Sequence, residues 1–289
     1  MAPKIWLDGK IVEREDAKIT VFDHGLLYGD GVFEGIRVYS GRVFELEAHI
    51  DRLYESAKSI RLEISIGKAE LSSAVNETVA AGEIADGYVR LLVTRGVGTL
   101  GLNPFVCRKS SIIIIADSIQ LYPEELYEKG MKVVSANTVR NHPLAIPPQA
   151  KTLNYLNNIL AKIEALDSGV PEVIMYNHEG FVAEASGDNV LIVKDGIVYA
   201  PPAEAGALPG ITRGIVIKLA RGENIQVVEK NLTRFDLYVA DEFFLTGTAA
   251  EIIGIVEIDK RVIGEGRPGP VTNLLRKKFF EYAHGKESA

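Results

Sequence analysis

Twice in this chain an Asp-Gly pair stands between short apolar runs. Asp8-Gly9 separates Ile5-Trp6-Leu7 from Ile11-Val12, and Asp195-Gly196 separates Val190–Val193 from Ile197–Tyr199. Asp-Gly accepts positive φ at both central positions, so each pair predicts a two-residue β-hairpin. A third hairpin is predicted where Asn177-His178-Glu179-Gly180 divides Val173–Tyr176 from Phe181–Ala185. Hairpins make neighbouring strands antiparallel, which excludes a regular βαβ alternation. Helical patterns are interspersed. Leu46, Ile50, Leu53, Ala57 and Ile60 step by three or four and predict a helix over about 45–61; another is expected over about 68–82. Leu156, Ile159, Leu160 and Ile163 share one face of a helix expected over about 154–166. Pro209-Gly210 opens an apolar helix at Ile211–Ala220, and a last helix is expected over about 271–284. Further strands are read at Phe33–Tyr39, Tyr88–Thr94, Ser111–Asp117, Lys132–Ala136 and Glu242–Leu245. The fold class is α+β.

A length of 289 residues suits two domains. They are expected as a small N-terminal α/β domain over 1–120 and a larger C-terminal domain over 121–289, crossing within Ser118–Gly130. The net charge of −7 argues against a nucleic-acid backbone binder. With the single cysteine, Cys107, neither a disulfide framework nor a multi-thiolate zinc site can form within the chain. The five histidines, at 24, 49, 142, 178 and 284, form no pair at ligand spacing, so no metal is expected. The longest apolar run, Ile112–Ala116, is far short of the ~20 residues that span a bilayer and reads as a central strand. No signal core follows Met1-Ala2-Pro3-Lys4, and the expected location is the cytoplasm.

Four segments could carry chemistry. Lys151 lies in Pro147-Pro148-Gln149-Ala150-Lys151-Thr152-Leu153-Asn154-Tyr155, where a helix start would bring Tyr155 near it by the four-residue spacing. A solvated lysine there is the simple reading. A cation beside a helix N-terminus is unfavourable, however, and an amine nucleophile of depressed pKa would avoid that penalty. Glu184 shares a strand face with Val182, between small residues. It reads either as a surface carboxylate or as a buried one held for a cationic partner. Leu208-Pro209-Gly210-Ile211-Thr212-Arg213 offers free amides at a helix start, an anion site by dipole and N–H alignment. Leu245-Thr246-Gly247-Thr248-Ala249-Ala250-Glu251 is a hydroxyl-rich turn after a strand, fit for an anion or a cap. A glycine-rich stretch, Phe22–Gly31, adds backbone freedom before the first long strand.

Together with Tyr28-Gly29-Asp30-Gly31-Val32-Phe33-Glu34-Gly35-Ile36-Arg37, these segments resemble the branched-chain amino acid aminotransferases. Those are fold-type IV pyridoxal-phosphate enzymes, in a D-amino-acid-aminotransferase-like, two-domain arrangement of mixed sheets and flanking helices. The resemblance runs from Asp23-His24-Gly25 to Gly264-Glu265-Gly266-Arg267. It implies that Lys151 binds the aldehyde of pyridoxal 5′-phosphate and shuttles the substrate proton. It also implies that Glu184 partners the ring nitrogen and that Tyr155 bonds the ring oxygen. Arg52, Ile211, Thr212 and Thr248 would hold the phosphate, most of the cofactor site falling in the larger domain. Tyr28 and Phe33 would wall the aliphatic pocket. Tyr88, Thr248 and Ala249 would orient the α-carboxylate, and Arg90 would take the distal carboxylate of glutamate. Leu100 and Leu102 would reach the neighbouring subunit of a homodimer or an assembly of dimers. His49 and Asp51 read as structural.

The implied reaction exchanges the amino groups of leucine, isoleucine or valine with 2-oxoglutarate. D-amino-acid aminotransferases carry an Arg-x-His trap in the loop that here is Gly98–Asn103 and holds neither residue; Arg140-Asn141-His142 has that pattern but precedes the lysine segment. Aminodeoxychorismate lyases lack the favour that Tyr88-Val89-Arg90 lends to a transaminase. A non-catalytic relative would not be expected to keep Lys151, Glu184 and Tyr155.

Overall fold

The structure, a computed structural model, describes residues 3–119 and 122–285. The chain divides into two compact units, one running to Ile119 and taking in Ala150–Asn154, the other holding the segment up to Gln149 and everything from Tyr155. The expected boundary at 120/121 falls on two residues outside the described ones. Lys151 lies in the first unit, not with the C-terminal part in which its chain position puts it.

The first unit contains β1 (Lys4–Leu7), β2 (Lys10–Val12), α1 (His24–Tyr28), β3 (Gly31–Tyr39), β4 (Arg42–Val43), α2 (Leu46–Ser59), α3 (Lys68–Ala81), β5 (Gly87–Thr94) and β6 (Ser111–Asp117). Its strands form one antiparallel sheet in the order β2-β1-β6-β5-β3-β4. The first hairpin turns at Asp8 and Gly9, both at positive φ (47° and 99°), as the Asp-Gly pair demands. The isoleucine run of β6 is a central strand, paired on both edges. Ile50, Leu53 and Ala57 of α2 close over Val32, Ile36, Val89, Leu91 and Ile114 to make the core. The Phe22–Gly31 stretch contains one helical turn: the Asp23 carboxylate accepts the Gly25 amide at 2.7 Å and Gly29 ends the turn at φ 69°.

The second unit contains α4 (Glu124–Lys129), β7 (Met131–Ser135), α5 (Leu156–Asp167), β8 (Glu172–Tyr176), β9 (Val182–Ala185), β10 (Asn189–Lys194), β11 (Ile197–Ala200), α6 (Ile211–Gly222), β12 (Val227–Glu229), α7 (Arg234–Tyr238), β13 (Glu242–Gly247), β14 (Glu251–Ile258), β15 (Arg261–Val262) and α8 (Pro270–Ala283). Its sheet is mixed, in the order β12-β11-β10-β13-β14-β7-β8-β9 with β15 on β14; β7 runs parallel to both neighbours. The hairpins β8–β9 and β10–β11 form where their turns predict them. α8 begins without a cap from its own N-cap residue, Gly269, and Glu242 of β13 caps it instead: its carboxylate accepts the amides of Val271 (3.0 Å) and Thr272 (2.7 Å) and the Thr272 hydroxyl (2.7 Å).

α5 departs from expectation. Leu156, Ile159, Leu160 and Ile163 do share a face, but that face is exposed, Leu156 by 66%. The buried side is Asn158, Ala161 and Ala165. The small alanines let the helix lie close on Val173 and Met175 of β8.

Candidate active site

In the first unit, Lys151 does not stand at a helix start. The segment 150–154 runs extended along β3: Phe33 N–H donates to the Lys151 carbonyl (3.0 Å), Leu153 N–H to Gly31 O (2.9 Å), and Val32 bridges Thr152. The Lys151 amide itself donates to Ser56 Oγ on α2 at 3.1 Å. The helix begins only at Leu156, with Tyr155 as its N-cap residue in the second unit. Both the helical Lys151–Tyr155 spacing and the macrodipole argument are therefore corrected: the backbone of Lys151 is engaged by β3 and Ser56.

The Lys151 amine lies 4.5 Å from the centre of the Phe33 ring. Arg90 lies over the same ring at 4.8 Å and over Tyr88 at 5.5 Å. β3 and β5 pair Gly35 with Arg90 and Arg37 with Tyr88, which sets this row. Gly35 is needed there, because a Cβ would lie 1.6 Å from the Tyr88 hydroxyl oxygen. Among the described residues Arg90 is held by ring faces and by no carboxylate.

Arg52 places Nε and Nη2 on Glu34, at 2.7 Å to each carboxylate oxygen. His49 Nδ1 is 2.8 Å from the same carboxylate. Glu34 is completely buried. Burial pushes its carboxyl up, but the Arg52 charge and fork and the His49 hydrogen bond outweigh it and hold it at about 2. Burial is also the main cause that lowers His49, reinforced by the charges of Arg52 and Lys151 against the pull of Glu34. A neutral His49 donates from Nδ1, and its buried Nε2 has no hydrogen-bond partner among the described residues.

Tyr28 donates its hydroxyl to the Leu100 carbonyl, and His24 Nε2 is 2.8 Å from the Thr99 carbonyl. These contacts tie the 98–102 loop to α1 while leaving the Leu100 and Leu102 side chains 69% and 80% exposed.

In the second unit Glu184 is buried on β9, as the sharper of its two sequence readings requires. Its cationic partner is Arg140, itself 5% exposed. Arg140 Nε (3.0 Å) and Nη2 (2.8 Å) both reach Oε1, while Oε2 accepts the Leu208 amide at 2.8 Å and the Asn189 side-chain amide at 3.4 Å. Arg140 Nη1 is held by Asn157 Oδ1 and Asn158 Oδ1, each at 3.3 Å.

α6 starts at Ile211 behind Gly210 with no side-chain cap, so the first-turn amides of Ile211 and Thr212 point outward from the helix start. Gly210 has no room for more: a Cβ would lie 1.9 Å from Asn189 Oδ1. Thr248 and Ala249 occupy the turn between β13 and β14, both half-buried, and the buried Thr246 hydroxyl just before it lacks a hydrogen-bond partner among the described residues.

The expected residues thus fall into two sets. Lys151, Phe33, Tyr88 and Arg90 form one cluster of the first unit, with Tyr28 and Leu100 joined at the loop. Glu184, Ile211, Thr212, Thr248, Ala249 and Tyr155 belong to the second unit. Sequence reading missed Glu34, Ser56, Arg140 and Asn158 as partners. The signal for Glu34 was present: a lone acid inside the apolar strand Val32–Val38, the same mark that singled out Glu184.

Residues 31–258 match the family model "Amino-transferase class IV". A Pseudomonas aeruginosa branched-chain-amino-acid aminotransferase is 40% identical over 291 residues, covering 99% of this chain and 94% of its own. The crystal structure of the Escherichia coli branched-chain amino acid aminotransferase superposes with a TM-score of 0.96 at 38% identity, covering 100% of this chain and 97% of that one. A Thermobaculum terrenum branched-chain amino acid aminotransferase, crystallised in its PLP-bound holo form, gives 0.90 at 31%, covering 99% and 95%. Family and fold agree with the resemblance read from the motifs: the chain belongs to the class IV aminotransferases, as a fold-type IV pyridoxal-phosphate-dependent transaminase.

Proposed function

We propose that this protein catalyses the reversible transfer of the amino group of L-leucine, L-isoleucine or L-valine to 2-oxoglutarate, giving the branched 2-oxo acid and L-glutamate. The observation that carries the reading is the lysine cluster: an amine on a backbone fixed at both its N–H and its carbonyl, against an aromatic wall that also holds a guanidinium.

The residues fit pyridoxal 5′-phosphate. Helix-start amides without a side-chain cap and the Thr248 turn are the donor set a phosphate takes. A buried carboxylate with a fixed cationic partner suits a ring nitrogen. Lys151 would hold the aldehyde, Tyr155 the ring oxygen, Glu184 the ring nitrogen, and Arg52, Ile211, Thr212 and Thr248 the phosphate. When bound, the cofactor supplies an electron-accepting ring that makes the substrate Cα–H acidic.

The chain's own residues do the rest. Lys151 Nζ takes the proton from the substrate Cα and returns it on the other side of the exchange. Phe33 and Tyr28 give the branched side chain a dry wall. Tyr88 and the Thr248 and Ala249 amides orient the α-carboxylate. Arg90 receives the distal carboxylate of glutamate. Its present partners are rings, so it can leave them without stranding a buried carboxylate.

The active form is read as a homodimer or an assembly of dimers. The exposed leucines of the 98–102 loop and the exposed apolar stripe of α5 support it. Among the described residues no helix is long and apolar enough to cross a membrane, and the cytoplasm is the proposed location.

The test is a panel of half-reactions with L- and D-amino acids, followed by the cofactor's near-visible absorbance, in the wild type and in Lys151→Ala. L-Leucine, L-isoleucine, L-valine and L-glutamate are expected to react and D-amino acids not to. Lys151→Ala is expected to lose turnover while still retaining some cofactor non-covalently. Near-normal turnover in that variant, or a preference for D-amino acids, refutes the reading.

A further inference from the structure

Glu184 is not a free acid waiting for a ring. Both of Arg140's bonds to it end on one oxygen, Oε1, and that end-on geometry fixes the carboxylate's rotation about its own bond. Oε2 is left with one short donor, the Leu208 amide at 2.8 Å, and one long one, Asn189 Nδ2 at 3.4 Å. Each oxygen thus has two donors, but both of those on Oε1 lie within 3.0 Å, whereas the Asn189 amide at 3.4 Å is beyond the normal range, so Oε2 is the oxygen better able to take a further N–H.

Arg140 is in turn over-determined. Its backbone N–H donates to Tyr176 O at 2.8 Å beside β8, and its Nη1 is shared by Asn157 and Asn158 at the start of α5. Asn158, also buried, anchors itself by donating to Ser186 O at 2.8 Å, one residue past β9. Arg140 is therefore held independently of Glu184 at its backbone by β8 and at Nη1 by the start of α5.

We propose that Arg140 is a positioning residue of the transaminase: by occupying Oε1 it presents Oε2 of Glu184 to the cofactor's ring nitrogen. This rests on the functional reading above. It assigns to Arg140 no contact with substrate or cofactor, only an action through Glu184. Replacing Arg140 would leave the carboxylate buried without its cation and held only at Oε2, by the Leu208 and Asn189 amides, so the acid would be present but less firmly aimed.

The experiment compares wild type, Arg140→Gln, Arg140→Lys, Glu184→Gln and the double variant Arg140→Gln/Glu184→Gln as full-length holoenzymes. Two quantities are read: the dissociation constant of pyridoxal phosphate from spectroscopic titration of the stripped protein, and the single-turnover rate with saturating L-leucine, alongside its half-saturating concentration. Arg140→Gln is expected to slow the single turnover by about 10–100-fold, the range over which supporting partners act, with the half-saturating concentration little changed. It is also expected to weaken cofactor binding. In the Glu184→Gln background the same replacement should change either quantity by less than about threefold, because an effect routed through Glu184 has nothing left to act on. Arg140→Lys, with a cation but no fork, should fall between wild type and Arg140→Gln, and it gives the same comparison should Arg140→Gln fail to fold. Losses that multiply in the double variant overturn the proposal. So does a full rate and full cofactor affinity in Arg140→Gln or Arg140→Lys. A wild type that neither binds pyridoxal phosphate nor converts an amino acid overturns the functional reading and this proposal with it.

Discussion

Replacing Glu34 with Gln removes a charge from the centre of the first unit while leaving its shape. The carboxyl is lowered from 4.5 to about 2. At 1.36 kcal/mol per pH unit this difference corresponds to about 3 kcal/mol of folding stability at neutral pH. Glu34 is wholly buried, so solvent screening takes little from that figure. Because the folded value lies below the unfolded one, the stabilisation is fully present above pH 4.5 and is lost as the pH falls towards 2. By pH 3 less than half remains. Glu34→Gln should therefore be about 3 kcal/mol less stable than wild type at pH 7, and the gap should narrow steeply between pH 5 and pH 3. Urea denaturation followed by tryptophan fluorescence reads this unit directly, since the chain's one tryptophan, Trp6, is buried in β1. A gap that stays constant from pH 7 to pH 3 would refute the argument, because it would mean that the ionised form of Glu34 carries none of the stability.

Other outcomes follow from the same structure. Arg90→Leu should raise the half-saturating concentration for L-glutamate by at least about tenfold while leaving L-leucine within a few-fold, the loss of one charge-assisted partner being felt only by the substrate that has a second carboxylate; equal losses for both amino acids would remove Arg90 from that role. Glu242→Ala should destabilise the second unit by about 1–2 kcal/mol through the uncapped amides of α8, measured as a lower urea midpoint by circular dichroism, with Glu242→Gln losing less. His49 adds to acid sensitivity in the same sense as Glu34: its folded-state value is lowered, so stability falls as the pH drops below 6.5 and the unfolded chain binds a proton that the folded one refuses. His49→Gln should flatten the wild-type stability profile just below that pH, and an unchanged slope there would contradict it.

Much of the architecture is legible because it rests on local chemistry. The Asp8-Gly9 and Asp195-Gly196 turns name their own hairpins, and the three-and-four spacing of α2 names its buried face. The same spacing identifies α5 as a helix, but periodicity alone does not say which side is covered. Alanines decide it, because they allow close approach to β8 while the larger residues stay outside. The Lys151 segment differs from expectation for a related reason: apolar and proline spacing locates the helix within two residues but cannot show that the preceding stretch adds to the edge of β3. β14 goes unread, its Gly254 and Glu257 breaking the apolar run. Glu184 and Arg140 lie 44 residues apart, and Glu34 and Arg52 lie 18 apart. Pairings of that separation leave no periodic trace; only an acid lodged among apolar strand neighbours hints that a cation must be near.

The two backbone bonds of Lys151 have a kinetic meaning. With N–H and carbonyl both anchored, the amine can travel only on its own four-carbon arm, about a pivot that does not move. In the proposed reaction, an amine displaced by an incoming amino acid would stay within a short, fixed arc of its target, which would keep its local concentration high and its recapture fast. Lengthening the arm's freedom by loosening the pivot, for instance through Ser56, would slow that return step and spare the outward one.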